Sequence, residues 1–195
     1  YETSIDDKLS NIQSFRTMIN STSKKIIPSR PLQYLSKVIR LKDDTKQELI
    51  CNTTLGCNGA DIRFINNTIC NILCNSLVSC AHANVLIDDC NEVEIICDGD
   101  HSCDGMELTL VSDRANNVNV QCGNTSSCHN MVIDIIGNAN SNISCIGLNS
   151  CDGITVNIES DHYQTNFLNM LSYSKNVTFS NGQGYEVRNE TLTQY

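Results

Sequence analysis

A seven-residue phrase that opens and closes on cysteine occurs five times between Cys51 and Cys151: CNTTLGC, CNSLVSC, CDGDHSC, CGNTSSC and CIGLNSC. The phrases begin at Cys51, Cys74, Cys97, Cys122 and Cys145, so successive starts lie 23, 23, 25 and 23 residues apart. A period this short and regular belongs to a solenoid, in which each repeat buries its apolar face against its neighbours. A strand, a helix and their loops do not fit into 23 residues, so the repeat must be built of strands and turns.

The residues that follow each phrase alternate. Counted from the second cysteine, the third position holds Ala60, Ala83, Met106, Met131 and Ile154, and the fifth holds Ile62, Val85, Leu108, Ile133 and Val156. The seventh holds Phe64, Ile87, Leu110, Ile135 and Ile158. Mostly polar residues stand between them, which is the pattern of a strand with one buried face. Another apolar column, Leu49, Ile72, Ile95, Val120 and Ile143, lies two residues before each first cysteine. Each repeat therefore carries at least two strands, with Asn-Gly and Asp-Gly pairs as turns. Like positions stack roughly 4.8 Å apart. A small disulfide-knot domain with accidental periodicity would not keep these columns in register over five repeats.

This pattern resembles the right-handed parallel β-helix, the pectin-lyase-like superfold, in a cysteine-rich version. The resemblance covers about residues 27–179 and rests on the period and the inward columns. No signature of catalytic residues accompanies it. The C-x5-C spacing is also similar to the within-coil disulfides of the cysteine-rich insect antifreeze β-helix, whose coils are shorter. The fold class it implies is an all-β solenoid, with the right-handed connection general for parallel strands.

Twelve cysteines make five pairs plus Cys70 and Cys90, an even total that suits an oxidised, secreted chain. Pairing within a column would orphan one cysteine in each column of five, whereas pairing within each phrase orphans none. The expected set is Cys51–Cys57, Cys74–Cys80, Cys97–Cys103, Cys122–Cys128 and Cys145–Cys151, with Cys70–Cys90 completing it. A loop of seven residues closed this way stabilises the fold by about 2.4 kcal/mol in the chain-entropy model. Structural zinc sites prefer shorter cysteine spacings.

Seven N-x-[ST] sequons, at Asn20, Asn52, Asn66, Asn124, Asn142, Asn176 and Asn189, predict N-glycosylation along a secretory route. No apolar run is long enough for a transmembrane helix, so no membrane insertion is expected. The chain starts at Tyr1 with no apolar signal segment, as a mature, processed chain would.

In order along the chain, residues 1–27 do not repeat. Ile5, Leu9, Ile12, Phe15 and Ile19 keep helical spacing behind a capping box at Ser4 and Asp7, which predicts a helix over 5–19. This arm either caps its own solenoid or docks on a neighbouring molecule. Running the period backwards from Ile62, Phe64 and Ile72 lands on Ile39, Leu41 and Leu49, so 28–50 reads as a cysteine-less coil; a helix over 32–39 is the rival. Coils with cysteine occupy 51–161, and the two extra residues of the third phrase step, from Cys97 to Cys122, fall within 112–117. Run forward, the period puts Leu168 in the place of a first cysteine and Phe179 in an apolar column, giving a β-helix of about seven coils over 28–180. A strand or tail over 181–195 follows.

Residues 1–50 hold nine Lys or Arg against six Asp or Glu, and residues 51–195 hold four against sixteen. This balance disfavours nucleic acid as a partner. No two carboxylates stack in adjacent coils of one outward column, so the paired acids of glycoside hydrolysis are not evident. Asp98, Asp100 and Asp104 form the one acidic corner with spacing suited to calcium, which a solvated turn explains as well. His82, His101, His129 and His162 are dispersed and show no partner set.

The residues therefore predict no catalytic centre, no cofactor and no resident metal. The expected function is a secreted structural protein: a disulfide-stapled, N-glycosylated β-helix that binds copies of itself head to tail in an extracellular fibre or surface appendage. The alternatives are a monomeric adhesion or glycan-binding module and a polysaccharide lyase or hydrolase on a β-helix.

Overall fold

The structure is a computed structural model that describes residues 24–26, 38–42, 46–112, 117–137, 140–159, 166–170, 178–181 and 186–188. The expected helix over 5–19 lies outside these residues. Among those described there are strands and turns and no helix. In chain order the strands are β1 (Lys24–Ile26), β2 (Val38–Lys42), β3 (Lys46–Cys51), β4 (Asp61–Cys74), β5 (Asn84–Cys97), β6 (Glu107–Ser112) and β7 (Asn117–Cys122). They continue with β8 (Val132–Gly137), β9 (Ser141–Cys145), β10 (Thr155–Glu159), β11 (Asn166–Met170), β12 (Thr178–Asn181) and β13 (Glu186–Arg188).

Every pairing is parallel, and the chain forms a β-solenoid of about five turns. One face stacks β2, the first half of β4, the first half of β5, β6, β8, β10 and β12. The other stacks β1, β3, the second halves of β4 and β5, β7, β9, β11 and β13. β4 and β5 run through the bend between the faces without a break. They turn at Asn66 (φ 53°) and Asp89 (φ 59°), and Gly137 (φ 104°) stands in the same column.

The four apolar columns line the interior, with no member more than 5% exposed. Each Ile, Leu or Val buried there contributes about 1.5–3 kcal/mol relative to exposure, which is the main force holding coil on coil. The interior also takes polar side chains near the bend: Gln47, Asn67 and Ser141 are buried, and Asn67 Nδ2 donates to the Leu41 carbonyl at 3.0 Å.

The backward extrapolation of the period holds in the register: Ile39 faces Ile62, Leu41 faces Phe64 and Leu49 faces Ile72. Val38 and Ile39 are therefore strand, against the rival helix over 32–39. The two extra residues lie between Val111 and Asn117, since Asp88 pairs with Val111 but Glu92 with Asn117. Forward, Phe179 faces Val156 as the period requires, but Leu168 faces Ile143 and it is Met170 that faces Cys145. A second two-residue insertion, between Glu159 and Asn166, causes this slip. The step from Met170 to Thr178 is two residues shorter than that from Cys145 to Thr155 and brings β12 back into register, and both changes lie past the last cysteine, where no phrase marks them.

Candidate functional site

The cysteine phrase builds the third side of the solenoid. Its backbone makes consecutive turns, seen in the second phrase as Ser79 N–H to Ser76 O at 3.1 Å and Ala83 N–H to Cys80 O at 3.2 Å. The fifth residue of every phrase is left-handed: Leu55, Val78, His101, Ser126 and Asn149, with φ between 50° and 59°. That twist points each of these N–H groups along the axis. Leu55 donates to Leu77 O, Val78 to Asp100 O, His101 to Thr125 O and Ser126 to Leu148 O, at 3.0–3.1 Å. The corner is thus a stack hydrogen-bonded from coil to coil, as the two sheets are.

Within it, Cys51 bonds Cys57, Cys74 bonds Cys80, Cys97 bonds Cys103, Cys122 bonds Cys128 and Cys145 bonds Cys151. Cys70 of β4 bonds Cys90 of β5 and so joins two coils at the opposite bend. No described cysteine is free. A further column is readable in the phrase but was not expected: the residue before the second cysteine is Ser79, Ser102, Ser127 or Ser150, all fully buried. Ser79 Oγ donates to Ser76 O at 2.7 Å and Ser102 Oγ accepts from Gly99 N–H at 3.1 Å, so these two hydroxyls satisfy the turn from within, whereas Ser127 Oγ is buried without a hydrogen-bond partner. In the first phrase Gly56 takes this place, and a Cβ there would stand 2.8 Å from Thr53 Oγ1, which fills the space instead.

The structure does not gather Asp98, Asp100 and Asp104. Asp98 Oδ1 lies against Gly123 of the next coil, while its carbonyl accepts from Asn124 Nδ2 at 2.9 Å. Asp104 Oδ1 instead meets His129 Nδ1 at 3.1 Å. Among the described residues one group alone brings three potential metal-binding atoms within 4.8 Å of one another, the sulfurs of Cys51, Cys57 and Cys80, and all three are in disulfides.

His129 and Asp104 share one column of adjacent coils, each standing one residue past the second cysteine of its phrase. His129 Nδ1 stands 3.1 Å from Asp104 Oδ1 and 3.0 Å from Asn130 Nδ2. The pair is part-exposed, so its attraction is worth at most about 1 kcal/mol. His82 covers Gly105, where an added Cβ would come within 2.6 Å of Nδ1; His101 is exposed, and His162 lies outside the described residues.

The outward columns carry an amide ladder. Asn84 donates to Asp61 at 3.1 Å, Asn157 to Asp134 at 2.7 Å and Asn142 to Asn119 at 3.0 Å. The four sequon asparagines that are described, Asn52, Asn66, Asn124 and Asn142, are all exposed. In Asn124 and Asn142 the amide nitrogen already donates to a neighbouring coil.

Charge is concentrated in one coil. Residues 84–107 hold eight acids (Asp88, Asp89, Glu92, Glu94, Asp98, Asp100, Asp104 and Glu107) and no Lys or Arg. They belt the solenoid near its middle on all three sides. The strands toward the N-terminal end carry Lys24, Lys25, Arg40, Lys42 and Lys46.

At the two ends, β1 pairs with β3 alone and β2 with β4 alone, while β12 pairs with β10 alone and β13 with β11 alone. Among the described residues these four are sheet edges, all running in the same direction. No described helix is long and apolar enough to cross a membrane. Comparison with protein-family models, with curated proteins and with solved structures finds no match.

Proposed function

We propose that this chain is the subunit of an extracellular structural assembly, a disulfide-stapled and N-glycosylated rod of about seven coils that stacks head to tail into a fibre or surface appendage. The observation that carries this reading is the pair of open ends. Among the described residues each end offers two parallel edge strands with one side unpaired, and a copy translated along the axis meets them with strands of the same direction. Contacts between unlike ends are heterologous and need not close, so they generate a filament. Four further features support it: staples in successive coils, a dry core, exposed sequons, and Lys and Arg gathered toward one end of an otherwise acidic chain.

Light scattering of the native, non-reduced protein behind a sizing column, with electron microscopy of the same fraction, tests it. The expected result is filaments with an axial repeat of roughly 34 Å, seven strand spacings. A monodisperse monomer at all concentrations overturns it.

A further inference from the structure

The disulfides stack along the core, and at one place a sulfur of one bridge neighbours both sulfurs of the next, where a thiolate released from the first bridge could reach the second. The sulfur of Cys80 lies within 4.8 Å of both sulfurs of the Cys51–Cys57 bridge, although Cys80 belongs to the next coil and is bonded to Cys74. Cys103 does not stand in this relation to the Cys74–Cys80 bridge, since no other trio among the described residues is as compact. Cys51 and Cys74, one from each of these two bridges, are direct partners in the parallel register of β3 and β4. Such partners bring their Cα atoms to about 4.8 Å, inside the range that a disulfide spans.

We propose that the staples Cys51–Cys57 and Cys74–Cys80 form one exchangeable unit, which thiol–disulfide exchange converts into the cross-coil pair Cys57–Cys80 and Cys51–Cys74. A small thiol of the glutathione class opens the unit when the corner opens locally, because all four sulfurs are buried. Its thiolate attacks Cys74, a mixed disulfide forms there, and the electron pair of the broken bond leaves on Cys80. The Cys80 thiolate attacks Cys57; the Cys57–Cys80 bond forms, the Cys51–Cys57 bond breaks, and Cys51 is released as thiolate. Cys51 then attacks Cys74, closes Cys51–Cys74 and expels the small thiol. Two protein disulfides stand before and after, and the thiol is recovered, so the conversion needs no net oxidant or reductant. The product ties the coil of β3 to that of β4, just as Cys70–Cys90 ties the coil of β4 to that of β5. Three successive coils at the Lys- and Arg-bearing end then become covalently continuous.

The full-length Cys74→Ser variant tests the central step, because it leaves Cys80 as a thiol beside an intact Cys51–Cys57 bridge. The folded protein is incubated at pH 7 or pH 8, quenched in acid, alkylated, and mapped as peptides without reduction. A bridge from Cys80 to Cys57 or Cys51 should accumulate, with alkylation moving from Cys80 to the released cysteine. The rate should rise about tenfold per pH unit, because the attacking species is the thiolate. The matched Cys97→Ser variant, which leaves Cys103 unpaired, should keep Cys74–Cys80 intact. Wild-type protein with catalytic glutathione gives a reading that depends on no variant's folding: Cys57–Cys80 and Cys51–Cys74 peptides should appear, with Cys70–Cys90 as the one other cross-coil bridge. The proposal is overturned if the wild type keeps its five intra-coil bridges and Cys70–Cys90 and gains no other. It is equally overturned if Cys103 exchanges as fast as Cys80.

Discussion

The left-handed residues of the corner decide which side chains each phrase accepts. Leu55, Val78, His101, Ser126 and Asn149 share one backbone conformation but no chemistry. An L-residue in that conformation gives up about 1–2 kcal/mol, most when β-branched, and asparagine tolerates it best. Val78→Asn should therefore raise stability by about 1 kcal/mol, read as a higher urea midpoint of the oxidised protein. Four residues on, the column reads Gly59, His82, Gly105, Asn130 and Gly153, again left-handed. Here Gly105 (φ 62°) lies beneath His82 and Gly153 (φ 74°) beneath Asn130, so each glycine supplies the space its neighbour's side chain fills. Gly105→Ala should lower stability by about 1–2 kcal/mol in the same assay. The second set was visible in the repeated Asn-Gly and Asp-Gly pairs. The first was not, because coil-to-coil hydrogen bonds impose the conformation on whatever residue stands there.

At the level of the element, the inward columns and the phrase were legible because each recurs at a fixed step and a strand's period of two leaves little freedom. The contents of the bends were not. The slip of Leu168 by two places follows from an insertion that alters the step in one coil. The staples differ in the loops they close, and their energies should follow. Cys97 and Cys103 are six residues apart, Cys70 and Cys90 twenty. Replacing the first pair by alanine should cost about 2.4 kcal/mol and the second about 3.3 kcal/mol in the chain-entropy model. Equal losses in urea unfolding would show that chain entropy is not what the staples supply. The acidic belt adds an opposing force, since its eight carboxylates have no Lys or Arg among them in residues 84–107. Raising sodium chloride from 0.01 M to 0.5 M screens that repulsion and should raise the urea midpoint; Glu94→Lys should reduce the salt dependence.

For the whole molecule, what matters is how a stack of parallel strands ends. A solenoid buries the edges of every coil except its outermost ones, so the backbone groups of β1, β2, β12 and β13 are where growth can continue. Burial alone would let two rods meet by any apolar contact, whereas growth by strand addition requires N–H groups on a defined edge. Proline separates these cases, because it removes one donor while its ring is tolerated on an edge strand. In a parallel strand alternate residues point their N–H groups to opposite sides, so of Glu186→Pro and Val187→Pro in β13, one strikes the bond to β11 and the other the open edge. The expected outcome is that one variant alone converts filaments to single rods while keeping the wild-type circular dichroism and urea midpoint. Sedimentation velocity of both, at equal concentration and without reductant, reads this directly. If both variants still assemble, the ends meet through side chains and the edge-pairing account of the fibre fails.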